Sequence, residues 1–220
     1  MNIAQAQIKL YPELGRAALA AGKETMLRFW LLCRDLTTDT NDGCGWVERA
    51  DVLPVLESVG LSRAAWYRAI KDPSAPDYFI YDKPSERLYL RSLESVCRHY
   101  NCIPGRPVYV PLKQLHRMQT FRAAIHGAQY ETKGQRIGRE TVAKKSGVSA
   151  ASQWRYEKMA GIDVEHNYVY APIDHTGELP IPESLTDRRN SGFITEIDGQ
   201  KVILWQTVNT YRNKNRNNAP

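Results

Sequence analysis

The sequence has no apolar run long enough to span a bilayer. Its N-terminal stretch, MNIAQAQIKLYPELGR, also lacks the basic start, the apolar stretch and the small-residue cleavage site of a signal peptide. Both absences disfavour a secreted or membrane-anchored protein. The chain has 220 residues, of which 42% are hydrophobic and 25% are charged. This balance predicts a globular protein of the cytoplasm, without a membrane partner.

Cysteine is scarce, with four residues that all lie in the first half: Cys33, Cys44, Cys97 and Cys102. We expect free thiols, because a chain without a leader folds in a reducing compartment. Cys97 and Cys102, with His99 between them, suggest a metal site at first sight. Their C-x-x-x-x-C spacing departs from the C-x-x-C knuckles of structural zinc, so we expect neither a metal nor another cofactor.

Signatures of catalysis are missing as well. The piece GKET at Gly22 fails the phosphate-loop pattern, because Lys23 is followed by Glu24 rather than by Ser or Thr. The sequence holds no G-x-S-x-G elbow and no H-E-x-x-H motif, and its five histidines show no ligand spacing. Tyr130 or Tyr211 could in principle be the nucleophile that nicks a DNA strand. That chemistry needs paired metal-binding histidines, which the sequence lacks. We therefore expect a protein that is not an enzyme.

Positive charge is concentrated in one segment. Residues 1–103 carry 13 Lys and Arg against 13 Asp and Glu, and residues 161–220 carry 6 against 8. Residues 104–160 carry 11 against 3, so this segment holds the whole excess behind the net charge of +6. A focused basic face attracts polyanions and releases their counterions, which favours a nucleic-acid partner over a merely solvated surface.

The order of predicted elements is similar in the two halves. Apolar periodicity, turn residues and strand-forming runs predict these elements in the first half: helix 23–36, strand 46–48, helices 49–59 and 63–70, strands 78–82 and 87–91, and helix 92–100. After a Pro- and Gly-rich linker at 103–107, the second half gives these: helices 112–126, 139–146 and 149–160, strand 168–170, and a hairpin over 193–205.

Two nine-residue pieces, GLSRAAWYR at 60–68 and GVSAASQWR at 147–155, occupy the same place in this order. Each has a Gly for the turn and a Ser to cap the next helix, as a helix-turn-helix requires. The hairpin that follows makes each unit a winged helix. We expect mainly helical α+β domains at 1–103 and 104–211, with 172–190 looping out and a disordered basic tail over 212–220.

The stretch RETVAKKSGVSAASQWRYEKMAGI resembles the helix-turn-helix of tandem winged-helix DNA-binding proteins of bacteria, phages and mobile elements. Ala143, four residues before Gly147, is the small residue that lets two helices cross. Gln153 departs from the pattern, since an aliphatic residue is usual there, which leaves open whether Gln153 or Trp154 faces outward. The first unit departs further, because Leu56 takes the place of the small residue.

The resemblance implies duplex DNA as the partner, with the second helix of each unit in the major groove. The second unit is then expected to contact DNA through the reader helix and its cap: Ser149, Ala150, Ala151, Gln153, Trp154, Arg155 and Lys158. Cations before that helix are expected at phosphates: Lys133, Arg136, Arg139, Lys144 and Lys145. The expected DNA contacts of the first unit are Ser62, Arg63, Tyr67, Arg68, Lys83 and Arg87. Those of the tail are Arg212, Lys214 and Arg216.

Each of these assignments has a structural alternative. In the alternative for Arg155, the side chain pairs with Glu157 or is simply solvated. In the alternatives for the rest, the hairpin cations are exposed loop residues without a partner and the tail only increases solubility. The function expected first is a nucleoid-associated regulator of transcription that binds specific duplex sites. A replication initiator of a plasmid, phage or other mobile element is the first alternative. An adaptor that binds protein or RNA is the second, since the neutral first unit suits a partner protein or a second copy.

Overall fold

The computed structural model of the protein describes residues 7–40, 45–130, 134–173, 193–213 and 217–218. Within these ranges it is a mixed α and β protein with small antiparallel sheets, so the expected α+β class is confirmed. The helices are α1 Pro12–Ala20, α2 Glu24–Thr40, α3 Arg49–Ser58, α4 Arg63–Lys71, α5 Leu93–His99, α6 Met118–Ala128, α7 Arg139–Ser146 and α8 Ala150–Ala160.

The strands are short. They are β1 Gln7–Leu10, β2 Trp46–Glu48, β3 Phe79–Asp82, β4 Arg87–Leu90, β5 Val108–Pro111, β6 Gln135–Arg136, β7 Ile162–Glu165, β8 Tyr168–Pro172, β9 Phe193–Ile197, β10 Gln200–Gln206, β11 Thr210–Asn213 and β12 Asn217–Asn218. All their pairings are antiparallel, and the four sheets have the orders β1-β5-β12, β2-β4-β3, β6-β11-β7 and β8-β10-β9.

The first half packs helices α2, α3 and α4 beside the sheet β2-β4-β3, and Trp46 pairs with Tyr89 across it. Aromatic rings join the layers, because Phe29 of α2 lies 6.1 Å from Trp66 of α4 and 5.6 Å from Phe79 of β3 between ring centroids. Such tilted ring pairs add to the burial of large apolar surfaces. The predicted strand at 46–48 is confirmed to the residue.

The second half repeats this arrangement. Helices α6, α7 and α8 pack together beside the sheet β6-β11-β7, in which the first strand pairs with the last, as β2 pairs with β4 in the first half. The sheet β8-β10-β9 is inserted between β7 and β11, around the predicted hairpin turn at Asp198-Gly199. The segment between β8 and β9 that was predicted to loop out lies mainly outside the described residues.

One hydrophobic cluster contains residues of both halves, from Ile8 to Ala128. Strand β1 pairs antiparallel with β5, so that Ile8 faces Val110 across the pair. Helix α1 lies on α6, where Gly15 allows close approach because a Cβ there would stand 3.1 Å from Ile125. The predicted boundary after residue 103 therefore does not coincide with a break in packing, since residues before and after it belong to one buried cluster.

Two predictions about element ends are wrong. The helix predicted over 112–126 is interrupted, because Arg117 is extended (φ −118°, ψ 143°) between a 3-10 turn at Leu112–Leu115 and α6. The hydroxyl of Thr120 donates to the carbonyls of Gln114 and Arg117 at 2.8 Å, so these two backbone acceptors have a partner where the helix is interrupted. The tail is not disordered from residue 212, because Arg212 lies in β11, which pairs with β6 and β7.

Helices α6 and α8 cross at Gly127. A Cβ at this position would stand only 2.8 Å from the Cβ of Ala160, a distance that real Cβ atoms do not reach. We expect Gly127→Ala to force the helices apart and to lower the free energy of unfolding by about 1–3 kcal/mol, measured by urea denaturation.

The double variant Gly127→Ala with Ala160→Gly supplies the control, because it moves the methyl group from one helix to the other. It should recover part of the loss. A Gly127→Ala variant as stable as the parent chain would show that the two helices do not cross this closely.

Candidate nucleic-acid interface

Helix α8 follows the turn that the sequence predicts. Gly147 ends α7 in the left-handed conformation (φ 68°), which glycine adopts without strain. Ser149 then accepts a hydrogen bond from the amide of Ser152, which confirms it as the cap of α8. The first unit has the same turn at Gly60 (φ 70°), but Ser62 makes no capping bond with its side chain, so that part of the prediction is wrong.

The two faces of α8 differ sharply. Gln153, Tyr156 and Glu157 are buried, whereas Trp154 is 61% exposed. The remaining exposed side chains on this helix are those of Ala150, Ala151, Arg155, Lys158 and Met159. The structure thus answers the question that the sequence left open, since Trp154 and not Gln153 faces outward.

Gln153 serves the interior instead of a surface. Its Nε2 donates to the carbonyl of Arg139 at 3.0 Å and to that of Val148 at 2.9 Å. The amide therefore ties the start of α8 to the start of α7 and to the turn, in place of the aliphatic contact expected from the resemblance. The predicted contact of Gln153 with DNA is wrong, because the side chain is fully buried.

Arg139 also turns inward. Its Nη1 and Nη2 donate to the two carboxylate oxygens of Glu157 at 3.2 and 2.9 Å, a two-pronged pair with fixed geometry. Because Arg139 already holds Glu157 and its side chain is only 28% exposed, the structure argues against the predicted phosphate contact of this residue. Arg155 does not pair with Glu157, because residues two apart on a helix do not face each other.

An imidazole and two tyrosine rings lie in the interior near Glu157. His126 of α6 is fully buried, with Nε2 3.8 Å from Glu157 Oε1 and 3.3 Å from the Tyr130 hydroxyl. Tyr130 stacks on Tyr211 of β11 with 4.9 Å between ring centroids. Burial is the first cause that raises the pKa of the Tyr130 hydroxyl, and the charge of Glu157 adds to it. Both tyrosine hydroxyls are therefore interior groups.

Exposed cations lie on α8 and on the two elements before it in the chain. Those on β6, α7 and α8 that form no ion pair with any described residue are Arg136, Lys144, Lys145, Arg155 and Lys158. The ammonium of Lys158 lies 5.8 Å from the centre of the Trp154 ring. Of the remaining predicted phosphate contacts, Lys133, Lys214 and Arg216 lie outside the described residues, and Arg212 pairs with Glu165 at 2.9 Å.

Several cations of the first unit are engaged within the protein, although the exposed Lys71 and Lys83 form no ion pair with any described residue. Arg63 pairs with Glu57 at 3.3 Å, and Arg87 pairs with Glu48 at 2.9 Å while its guanidinium lies 4.1 Å from the centre of the Trp46 ring. The hydrogen bond with Glu48 is the main cause that raises the pKa of Arg87. These contacts favour the structural alternative for Arg87 over a contact with DNA.

The outward face of α4 is exposed at Ser62, Arg63, Tyr67 and Arg68. Arg68 donates to the carbonyl of Ala64 at 3.3 Å on its own helix, and Tyr67 accepts a hydrogen bond from Arg49 at 2.8 Å. Arg49 also bonds Glu86 of the hairpin. Sequence reasoning missed Arg49, because its partners lie 18 and 37 residues away.

The cysteine prediction is confirmed for Cys33, Cys97 and Cys102, which are free thiols. Burial, with a smaller contribution from the bond with Cys102, raises the pKa of Cys97 to about 12. The described part of the chain holds no group of three or more side chains suited to a metal ion. Nor does any helix in that part have the length and apolar character needed to cross a bilayer.

Comparison of the chain with protein-family models, with curated proteins and with solved structures finds no match. Function is therefore inferred from the geometry of the residues themselves. The features that bear on it are the exposed face of α8, the unpaired cations around it and the interior contacts that hold the helix in place.

Arg139→Ala tests the interior role of Arg139. The change leaves the carboxylate of Glu157, whose side chain is 3% exposed, without its cation. We expect a loss of about 3–5 kcal/mol in the free energy of unfolding, measured by urea denaturation. Arg155→Ala removes an exposed arginine nearby and should change stability by less than about 0.5 kcal/mol. Equal small effects would show that Arg139 is a surface residue.

Proposed function

We propose that the protein binds specific sites on double-stranded DNA, with α8 as the helix that enters the major groove. The observation that carries the proposal is the set of five exposed cations on β6, α7 and α8 without an ion-pair partner among the described residues. Unpaired Lys and Arg side chains on one surface gain most from phosphate, because no internal carboxylate competes for them.

The arrangement of elements supports tandem winged helices. In each half a helix and a short strand precede two helices joined by a Gly turn. Two later strands join the first one in a sheet, β3 and β4 in the first half and β7 and β11 in the second, and the last of them pairs with the first strand. A winged helix has this order, and its second joined helix is the one that contacts base edges. Helices α4 and α8 hold that place in the two halves.

The halves differ in net charge, since residues 1–103 carry 13 Lys and Arg against 13 Asp and Glu, whereas residues 104–160 carry 11 against 3. In the first, Arg49, Arg63 and Arg87 each bond a carboxylate of the same unit. In the second, Arg155 and Lys158 on the outward face of α8 do not. We therefore assign sequence recognition mainly to the second unit, and contact with a protein partner or a second copy of the chain to the first.

Regulation of transcription is the biological role that we propose first. Replication initiation on a mobile element is the second candidate, because two similar units in one chain suit iterated sites. A regulator should occupy a palindrome or a pair of spaced repeats near a promoter, whereas an initiator should occupy several direct repeats. Selection of bound sites from random duplex DNA tests specific binding directly, and recovery of no common motif would contradict it.

Paired substitutions test which unit reads DNA. Arg155→Ala with Lys158→Ala should abolish binding to the selected site, because both cations leave the outward face of α8. Arg63→Ala with Arg68→Ala is the matched control on α4 and should weaken binding less. Dissociation constants measured by fluorescence anisotropy at one salt concentration decide between them. Equal losses would show that both units contribute alike.

Lys144 and Lys145 are expected at phosphates rather than at bases. Replacing both with Ala should weaken binding to all duplexes alike and should reduce the slope of log affinity against log salt concentration by about 2. Lys9→Ala with Lys71→Ala removes the same charge from the first unit, at exposed lysines that are not expected to contact DNA, and should leave the slope nearly unchanged. A larger change in the control pair would move the phosphate contacts to the first unit.

A further inference from the structure

The exposed face of α8 carries an apolar strip at its centre, formed by Ala150, Ala151 and Trp154. Residues three and four apart share one face of a helix, so Trp154 lies next to both alanines and next to Lys158. Trp154 is 61% exposed, and so it does little to fill the core behind it. Two of the cations that the proposed function assigns to DNA, Arg155 and Lys158, are exposed on the same helix as the strip.

We infer that this strip recognises thymine through the 5-methyl group that thymine displays in the major groove. The inference rests on the proposed function and adds the base that the centre of the helix prefers. Thymine is the only one of the four bases that presents a methyl group there, and apolar side chains are its usual partners. An arginine or lysine at the same place would favour guanine instead.

The small size of Ala150 and Ala151 supports this role. Methyl side chains at the N-terminal end of α8 let the helix backbone approach the floor of the groove, where base edges lie. Trp154, one turn further along, then offers a large apolar surface at the same depth. A helix in an intact groove meets the edges of bases rather than their faces, so a methyl contact suits the indole better than stacking does.

The surrounding residues hold the indole toward the groove. Gln153 and Glu157, which flank Trp154 on the inner side of α8, are fixed by Arg139 and Val148 through four hydrogen bonds. Helix α8 therefore cannot rotate without breaking these bonds. Lys158, with its ammonium 5.8 Å from the ring centre, places a cation beside the strip where it reaches a phosphate or a guanine.

Replacement of thymine by deoxyuridine in the selected site tests the inference, because only the methyl group changes. Each thymine of the site is replaced in turn, and the dissociation constant is measured by fluorescence anisotropy at fixed salt. The parent chain should lose about fourfold in affinity at each contacted thymine, the value expected for one buried methyl group. Trp154→Ala should bind more weakly and should no longer distinguish thymine from deoxyuridine at those positions.

Two variants separate this contact from general loss of binding. Arg155→Ala should weaken binding but keep the preference for thymine, and Met159→Ala, which changes another exposed apolar side chain of α8, should keep both. Circular dichroism of each variant checks that the helices remain folded. Equal affinity of the parent chain for both forms of the site would overturn the inference while DNA binding stands. Absence of any selected site would overturn the proposed function itself.

Discussion

The position of α8 depends on one buried carboxylate. Glu157 is 2% exposed, and a charge so far from water is tolerated only when it is paired and hydrogen-bonded. Arg139 supplies two hydrogen bonds from α7, and His126 approaches from α6. Three helices are thereby joined at one point. Because Glu157 must face this point, the opposite side of α8, which carries Ala151, Arg155 and Lys158, must face solvent, and Trp154 lies beside it.

Two further contacts fix the two ends of α8. Gln153 bonds the carbonyls of Arg139 and Val148, which fixes the first turn of α8, and Gly127 admits the last turn at Ala160 to close contact with α6. For the proposed contact with DNA this matters, because a surface that is held in place before binding loses less entropy on binding. The interior contacts of Gln153, Glu157 and Gly127 thus fix the orientation of the exposed face of α8, although none of these three residues lies on that face.

Local signals were readable from the sequence. Gly60, Gly147, the cap at Ser149 and the strand at 46–48 depend on neighbouring residues, and the structure has them in place. The inward turn of Gln153 and Arg139 was not readable, because their partners lie on other elements 14 and 18 residues away. The pairing of β1 with β5 joins residues about a hundred positions apart, beyond any local pattern.

The pairing of β1 with β5 is one of the contacts that join the two halves. Strands β1 and β5 precede equivalent helices, so their antiparallel pairing places a local twofold relation between the halves. Arg122 of α6 also donates to the buried Glu24 of α2 at 2.8 Å, and the end of α1 lies against Gly147. The first unit is thus connected through packed helices to the turn before α8. The pairing of β1 with β5, the bond between Arg122 and Glu24 and the contact of α1 with Gly147 thus tie the close packing of one unit to that of the other.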